Sequence, residues 1–233
     1  MSRVVAHLRA NPIVAILRGV PAEHIVPLGQ ALHAGGITSM EVAFTDADAA
    51  EKIAALVAAI GDDVGRSTDE ESHGNVLIGA GTVTTLERAA NAIAAGASFI
   101  VTPHVAASVI AYGHEHGIPV ICGATTATEV ALAQELGAAL IKLFPAGQLG
   151  PGYLRALLGP FPDAAMLAVG GISLANAREF LEAGALGLGI GASLTAVDRS
   201  SPDFEAVSAK GRELVDLVES VRRANEYLPR QPW

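Results

Sequence analysis

The chain has 233 residues, of which 51% are hydrophobic and 17% charged, so it can bury the core of one large domain. A net charge of -9 and an aromatic content of 4% argue against a nucleic-acid partner, although a local pocket can still hold a small anion. A single cysteine, an N-terminus without an apolar signal core and no window of roughly 18 apolar residues predict a cytoplasmic protein without disulfides or a membrane span.

Eight short apolar runs alternate with longer segments of helical periodicity. Continuous apolar runs of this length are typical of strands buried on both faces. Several helical segments end at a glycine, as in HAGGI and EAGAL, where a left-handed C-cap suits this residue. The repeated unit predicts an α/β fold, a (β/α)8 TIM barrel forming a single domain over 1–233, with an open doubly wound sheet as the competing architecture. The predicted strands lie in the runs 13–17, 39–44, 76–83, 98–103, 119–124, 139–145, 166–172 and 186–193.

Two segments do not fit this alternation of strands and helices. The stretch near 62–76 is acidic and rich in turn residues, which predicts an extended surface loop between the second helix and the third strand. Because helix-to-strand connections lie on the stability face of a barrel, we expect this loop opposite the chemistry. A helical stretch near 203–225 follows the eighth unit, and we expect it to pack outside the barrel or to cover one end.

Polar side chains collect where the predicted strands end, which is the active-site face of a barrel. Lys142 is the strongest signal, because it lies in the apolar run ALIKLFP and a lysine in such surroundings tends to become a neutral amine. A neutral amine attacks a carbonyl to form an imine, and a nearby carboxylate such as Glu41 would serve as general base. The alternatives are a snorkelling lysine or a plain salt bridge between the two. The strand-end set comprises Arg18, Glu41, Thr45, Thr82, Thr102, His104, Thr125 and Lys142.

Two glycine-rich turns, AVGGIS (168–173) and GIGAS (189–193), close the seventh and eighth predicted strands. Each exposes backbone N–H groups and leads toward a helix N-terminus, and barrels commonly bind phosphate at these two positions. The alternative is that glycine only permits tight turning. Arg18 could bind a carboxylate or a phosphate in bidentate fashion, or form a surface ion pair.

Other reactive residues point to packing rather than chemistry. Cys122 lies in the apolar run PVICGA, which favours a packing role over a nucleophile. The sequence His114-Glu115-His116 places neighbouring side chains on different helix faces, unlike zinc ligands. No HExxH, calcium-loop or P-loop motif occurs, so we predict no metal and no organic cofactor.

These residues together resemble the KDPG/KHG aldolases, which cleave 2-keto-3-deoxy-6-phosphosugar acids or 4-hydroxy-2-oxoglutarate. The motifs PIVAILRG, GGITSMEV, IGAGTV, FIVTPH, GATTATE, KLFPA, AVGGIS and GIGAS follow one another in the family's order between about Pro12 and about Thr195. The resemblance implies a barrel fold, a small-molecule keto-acid phosphate as substrate, a homotrimer and no metal.

The same resemblance implies roles for individual residues. Lys142 would be the Schiff-base lysine and Glu41 the acid/base residue, while Thr82 would contact the pyruvate-derived part of the substrate. Thr45 and Pro103 would lie in the substrate site. The phosphate would be held by Gly170, Gly171, Gly191 and Ser193.

One position departs from the gluconate-type branch of the family. There the strand that carries the catalytic glutamate ends with an arginine that binds the substrate carboxylate, whereas this chain has Thr45. The phosphogalactonate branch also lacks that arginine and has instead the arginine of ILRG, matched here by Arg18. This favours a phosphogalactonate-type substrate. A 4-hydroxy-2-oxoglutarate aldolase, a phosphate-binding epimerase or synthase barrel, and a non-catalytic phosphosugar-acid sensor remain as alternatives.

Overall fold

A computed structural model describes residues 3–61, 76–198 and 200–227 of the chain. Most of the predicted acidic loop near 62–76 lies outside the described residues. The strands are β1 (Ile13–Leu17), β2 (Ser39–Ala43), β3 (Leu77–Gly81), β4 (Phe99–Val101), β5 (Val120–Ala124), β6 (Leu140–Leu143), β7 (Met166–Val169) and β8 (Gly187–Ile190). The helices are α1 (Arg3–Ala10), α2 (Ala22–Ala34), α3 (Ala49–Ile60), α4 (Leu86–Ala94), α5 (Ala107–Glu115), α6 (Ala127–Glu135), α7 (Ala146–Leu149), α8 (Pro151–Leu158), α9 (Leu174–Glu182), α10 (Ala192–Thr195) and α11 (Phe204–Tyr227).

The eight strands are parallel, pair in chain order and close by pairing of β8 with β1. The prediction of a (β/α)8 barrel is therefore confirmed, and the open doubly wound sheet is wrong. Each strand lies inside its predicted apolar run, but most runs extend further than the strand. The residues beyond β7 and β8 form the turns that carry the glycines.

Alternation along each strand divides the side chains between two cores. Outward side chains pack against the helices, while inward side chains fill the barrel. Glycines at inward positions make room for large neighbours: a Cβ on Gly79 would lie 2.4 Å from the ring of Phe99, which is its register partner on β4. Glu41 and Lys142 are the third residues of their strands and both point inward, where their walls are apolar.

The N-terminal end of the barrel is covered by α1, which the sequence analysis did not assign to any role. Its Val4, Val5 and Leu8 are buried in the same cluster as the inward residues of the strands. Helix α11 packs outside the barrel against α2 and α9, and the Ser208 hydroxyl donates a hydrogen bond to the Ala31 carbonyl at 2.7 Å. Among the described residues, no helix is long and apolar enough to cross a membrane.

Candidate active site

Glu41 and Lys142 line one cavity inside the barrel. They come from β2 and β6, which lie on opposite sides of the eight-stranded ring. Glu41 is 2% exposed and Lys142 is 5% exposed. The remaining walls are apolar apart from the bare backbone of one glycine, and they consist of Val14, Ile16, Val101, Ile121, Leu167, Val169 and Gly189. A carboxyl group and an amine thus share one largely apolar cavity at the centre of the fold.

The environment of Glu41 favours its protonated form. Burial raises the pKa of this carboxyl above its usual 4.5, while the positive charges of Lys142 and Arg18 pull in the opposite direction. Its Oε1 has no hydrogen-bond partner among the residues that the structure describes. Gly81 provides the space beside it, since a Cβ there would lie 2.7 Å from Oε1. A carboxyl with a raised pKa and an unused oxygen is well placed to exchange a proton.

The Lys142 amine faces a hydrophobic and aromatic surface. Its Nζ lies 5.2 Å from the centre of the Phe144 ring, a cation–π distance. Within the described parts of the chain, no carboxylate approaches Nζ to ion-pair distance, so Lys142 and Glu41 interact through space without a direct salt bridge. Gly123 is the register partner of Lys142 on β5, and the Pro103 backbone occupies the space that a side chain on Gly123 would take. Lys142 therefore lines the cavity without a carboxylate from the described residues bound to its amine.

Arg18 and Thr82 lie together above this cavity. The exposed Arg18 side chain donates from Nη2 to the Thr82 hydroxyl at 3.2 Å. Thr82 has a φ of 57°, a left-handed conformation that is unusual for a β-branched residue and is often found at functional sites. Arg88 of α4 supports it from behind, donating from Nη1 to the Thr82 carbonyl at 3.2 Å and to the Thr84 hydroxyl at 2.9 Å. The sequence analysis missed Arg88, although its place in the first turn after IGAGTV was a usable signal.

The polar side chains at the ends of β4 and β5 mainly form hydrogen bonds with backbone groups. The Thr102 hydroxyl is buried and donates to the His104 carbonyl at 2.7 Å, and the Thr125 hydroxyl donates to the Phe144 carbonyl at 2.7 Å. Pro103 is half-buried and its backbone lies directly against Gly123, where a Cβ would come within 2.2 Å of the Pro103 carbonyl carbon. These contacts shape one wall of the mouth.

The two glycine-rich turns meet each other. Gly170 and Gly171 follow β7 with φ values of 89° and 75°, which only glycine adopts readily. The exposed Ser193, in the short helix after β8, donates from its hydroxyl to the Ile172 carbonyl at 2.8 Å and so joins the turns. Gly191 lies immediately before that helix. The structure therefore brings all four predicted phosphate-binding residues to one side of the mouth.

Thr45 lies exposed beyond β2 and belongs to a charged group that the sequence analysis did not predict. Its hydroxyl is 3.4 Å from Oδ1 of Asp46. Asp46 also accepts the backbone N–H of Gly19, which follows Arg18, and binds Lys52 of α3 at 2.9 Å. Lys52 shares the buried stripe of α3 with Ala49, Ile53 and Leu56, and this helical spacing was a signal that the sequence analysis did not use.

Other candidate groups lie away from the mouth or serve packing. Cys122 is fully buried on the outward face of β5, and burial raises the pKa of its thiol. His114 and His116 each lie 2.9 Å from a backbone carbonyl oxygen, that of Gly137 and Tyr112 respectively. Across the described ranges, no group of three or more histidine, cysteine or acidic residues is arranged to hold a metal ion.

The assembled site has a defined chemistry. It combines a buried amine, a carboxyl of raised pKa, an arginine and two backbone turns suited to anions. Such a site defines an enzyme that acts on a carbonyl compound carrying anionic groups, with the amine able to form an imine.

Comparison with known proteins agrees with this class. The family of KDPG and KHG aldolases matches residues 4–210. The 2-dehydro-3-deoxy-phosphogluconate aldolase of Treponema pallidum is 37% identical over 213 residues, covering 91% of this chain and 94% of the relative. The 2-dehydro-3-deoxy-6-phosphogalactonate aldolase of Escherichia coli K12 is 34% identical over 210 residues, covering 88% and 96%.

Solved structures give the same result. A native KDPGal structure has a TM-score of 0.80 and 30% identity, covering 91% of this chain and 96% of its own. The KDPG aldolase of Legionella pneumophila, solved with pyruvate captured as a covalent carbinolamine intermediate, has a TM-score of 0.72 and 27% identity, covering 93% and 97%. The chain belongs to the KDPG and KHG aldolase family and is therefore an aldehyde lyase.

Proposed function

We propose that the protein cleaves a 2-keto-3-deoxy-6-phosphosugar acid to pyruvate and glyceraldehyde 3-phosphate through an imine on Lys142. The observation that carries this proposal is the placement of Lys142 and Glu41, both almost fully buried, in one apolar cavity under two anion-binding turns. The amine supplies the electron sink by itself, so the reaction needs neither a metal nor an organic cofactor.

The steps follow from the two side chains. The Lys142 Nζ adds to the C2 carbonyl, and loss of water gives the imine. Glu41, acting through a water molecule, takes the proton of the C4 hydroxyl, the C3–C4 bond breaks and its electrons move into the imine to form an enamine. Glyceraldehyde 3-phosphate leaves. The enamine then takes a proton at C3, and water hydrolyses the imine to release pyruvate and the free lysine.

The mouth offers an anchor for each end of the substrate. Arg18 and Thr82, joined at 3.2 Å on the side of β1 and β3, would hold the carboxylate next to C2. The turns of Gly170 and Gly171 and of Gly191 and Ser193 would hold the phosphate through backbone N–H groups. Thr45 and Pro103 would complete the mouth between the two anchors.

We propose a phosphogalactonate-type rather than a phosphogluconate-type acid as the preferred substrate. Thr45 stands where the gluconate-type branch has its carboxylate-binding arginine, and Arg18 is in contact with Thr82 above the cavity. The glycine turns favour a phosphate over the second carboxylate of 4-hydroxy-2-oxoglutarate, which would offer them a smaller anion with fewer acceptor oxygens. Measuring kcat/KM for the two C4 epimers and for 4-hydroxy-2-oxoglutarate tests this order; a higher value for either competitor contradicts it.

The imine itself can be located directly. The protein is incubated with pyruvate, reduced with borohydride and digested for peptide mass spectrometry. The chain has only three lysines, so Lys52 and Lys210 serve as internal controls. We expect a pyruvate-dependent adduct on Lys142, and loss of both adduct and turnover in Lys142→Met with the fold retained. Folded wild-type protein without the adduct, or Lys142→Met with wild-type turnover, would contradict the mechanism and favour an epimerase-type or purely binding barrel.

We also propose that the protein is a cytoplasmic homotrimer. Support for the compartment comes from the single, buried cysteine, which fits a reducing environment. Support for the assembly comes from membership of the family. Light scattering coupled to gel filtration should give three times the mass of one chain; a monomer or dimer at micromolar concentration would contradict the assembly.

A further inference from the structure

A buried ion-pair cluster lies behind the mouth, at the turn between β2 and α3. Its centre is Lys52, which is only 5% exposed and whose Nζ binds Asp46 Oδ2 at 2.9 Å and Asp48 Oδ1 at 2.8 Å. Burial lowers the pKa of Lys52, but its hydrogen bonds to Asp48 and Asp46 outweigh that effect and raise it. A buried ammonium is costly unless it is paired, so this lysine holds both carboxylates in place.

Asp46 connects the cluster to two residues of the mouth. Both of its carboxylate oxygens accept the backbone N–H of Gly19, at 3.2 Å and 3.0 Å. Gly19 follows Arg18 directly and has a left-handed φ of 66°, so its peptide group sets the direction in which the chain leaves β1. The Thr45 hydroxyl also points at Asp46, with its oxygen 3.4 Å from Oδ1. Three donors thus converge on a single carboxylate.

Asp46 and Asp48 differ in their exposure and in their hydrogen-bond partners. Asp48 precedes α3 and is about half exposed, with a side-chain exposure of 45%, whereas Asp46 is 12% exposed and lies between the β1 and β2 ends. Both pair with Lys52. Gly19 and Thr45 donate their hydrogen bonds to Asp46. Asp48 is therefore a matched control for any effect that passes through the turn after β1.

We infer that Asp46, held by Lys52, is a positioning residue for Arg18 and so helps to set the affinity for the substrate carboxylate. The exposed Arg18 side chain has a hydrogen bond to Thr82 but no ion pair within the described residues, and its backbone is tied down through Gly19 and Asp46. Releasing that tie would let the guanidinium leave the position in which it contacts Thr82. This inference rests on the proposed role of Arg18 as the carboxylate anchor.

Asp46→Asn is the direct test. An amide has one acceptor oxygen and cannot serve Gly19, Thr45 and the Lys52 ammonium together. We expect KM for the phosphosugar keto acid to rise about tenfold, with kcat changed less than about twofold, because Lys142 and Glu41 remain in place. Lys52→Met should raise KM in the same way, and it provides a second route if Asp46→Asn does not fold. Asp48→Asn should leave KM within about twofold of the wild type.

A double-mutant cycle separates positioning from general destabilisation. Arg18→Ala should raise KM by itself, and adding Asp46→Asn to it should have little further effect, because the anchor is already lost. Equal effects of Asp46→Asn with and without Arg18, or equal KM values for Asp46→Asn and Asp48→Asn, would overturn the inference. If Arg18→Ala leaves KM unchanged, the proposed anchor itself is wrong and the inference falls with it, while borohydride trapping on Lys142 still tests the imine independently.

Discussion

Replacing Glu41 with glutamine keeps the size of the side chain but removes its ionisation, which makes the buried carboxyl visible as a pH dependence of stability. In the folded protein the pKa of Glu41 is raised above 4.5 by burial, against the pull of Lys142 and Arg18. The folded state therefore holds this proton at pH values where the unfolded chain has lost it. The stability that the protonated group contributes is fully present below pH 4.5 and is lost as the pH rises through the folded pKa.

The size of the effect follows from linkage. Each unit by which the folded pKa exceeds the unfolded value costs the wild type about 1.4 kcal/mol of unfolding free energy at neutral pH. For a chain of this length that corresponds to about 3 to 5 °C in Tm per unit. We therefore expect the difference in Tm, Glu41→Gln minus wild type, to increase as the pH rises from 4.5 toward 8. Any constant cost of burying the amide shifts the curve without changing its slope.

The assay is thermal unfolding of both proteins across that pH range. Glu129→Gln is the control with the opposite sign, because hydrogen bonds from the backbone N–H groups of Thr126 and Thr125 lower the pKa of Glu129. Its stabilising contribution is present above the unfolded pKa of 4.5 and lost as the pH falls below it, so for this control the scan is extended down to about pH 3, where its Tm difference should decrease with rising pH and then level off above about pH 5. The same Glu41→Gln protein should lose about 10²- to 10⁴-fold in kcat. A flat or falling Glu41→Gln curve would refute the raised pKa.

Two further substitutions test the walls of the mouth. Arg88→Leu removes the donor that supports the left-handed Thr82, so we expect a raised KM for the keto acid. Arg88→Lys should restore KM in part. Equal KM values for the wild type and both variants would contradict this role of Arg88. Gly123→Ala places a Cβ 2.2 Å from the Pro103 carbonyl carbon, which must move, and we expect a loss of about 1 to 3 kcal/mol, or at least about 3 °C in Tm. The control is Gly152→Ala in α8, where a Cβ meets nothing within 4 Å, so this substitution should leave the Tm unchanged or raise it. An unchanged Tm for Gly123→Ala would show that the Pro103 backbone moves aside at little cost.

The barrel architecture could be predicted from the local pattern of apolar residues in the sequence. Strands buried on both faces must be apolar along their whole length, so each strand left a run of apolar residues that ordinary spacing rules detect. Glu41 and Lys142 stood out because they are charged residues within such apolar runs, and the structure places both of them in one cavity. The glycine turns after β7 and β8 were likewise recognisable from their composition, and after β7 the positive φ values of Gly170 and Gly171 explain why glycine is needed there.

The positions at which the strands end were predicted less accurately than the strands themselves. The run 166–172 contains β7 and the turn that follows it, and apolar composition does not distinguish the two. What ends the strand is the pair of left-handed glycines, Gly170 and Gly171, whose conformation depends on contacts with the β6–α7 segment, such as the 2.7 Å hydrogen bond from the Gly147 N–H to the Gly170 carbonyl.

The residues that the sequence analysis did not identify are charged side chains that bind the turn just before their own helix, whose conformation the apolar pattern does not give. Lys52 lies on the buried stripe of α3 and takes its carboxylates from the turn before that helix, but only the folded barrel brings Gly19 at the end of β1 to Asp46. Arg88 becomes important because Thr82 turns its carbonyl toward it. Local periodicity therefore determined the barrel and its two charged interior residues, since both depend on burial along a single strand. The links between the turns of the mouth were decided by the tertiary structure, because Arg18 meets Thr82 and Gly19 meets Asp46 only when the ends of β1, β2 and β3 come together in the barrel.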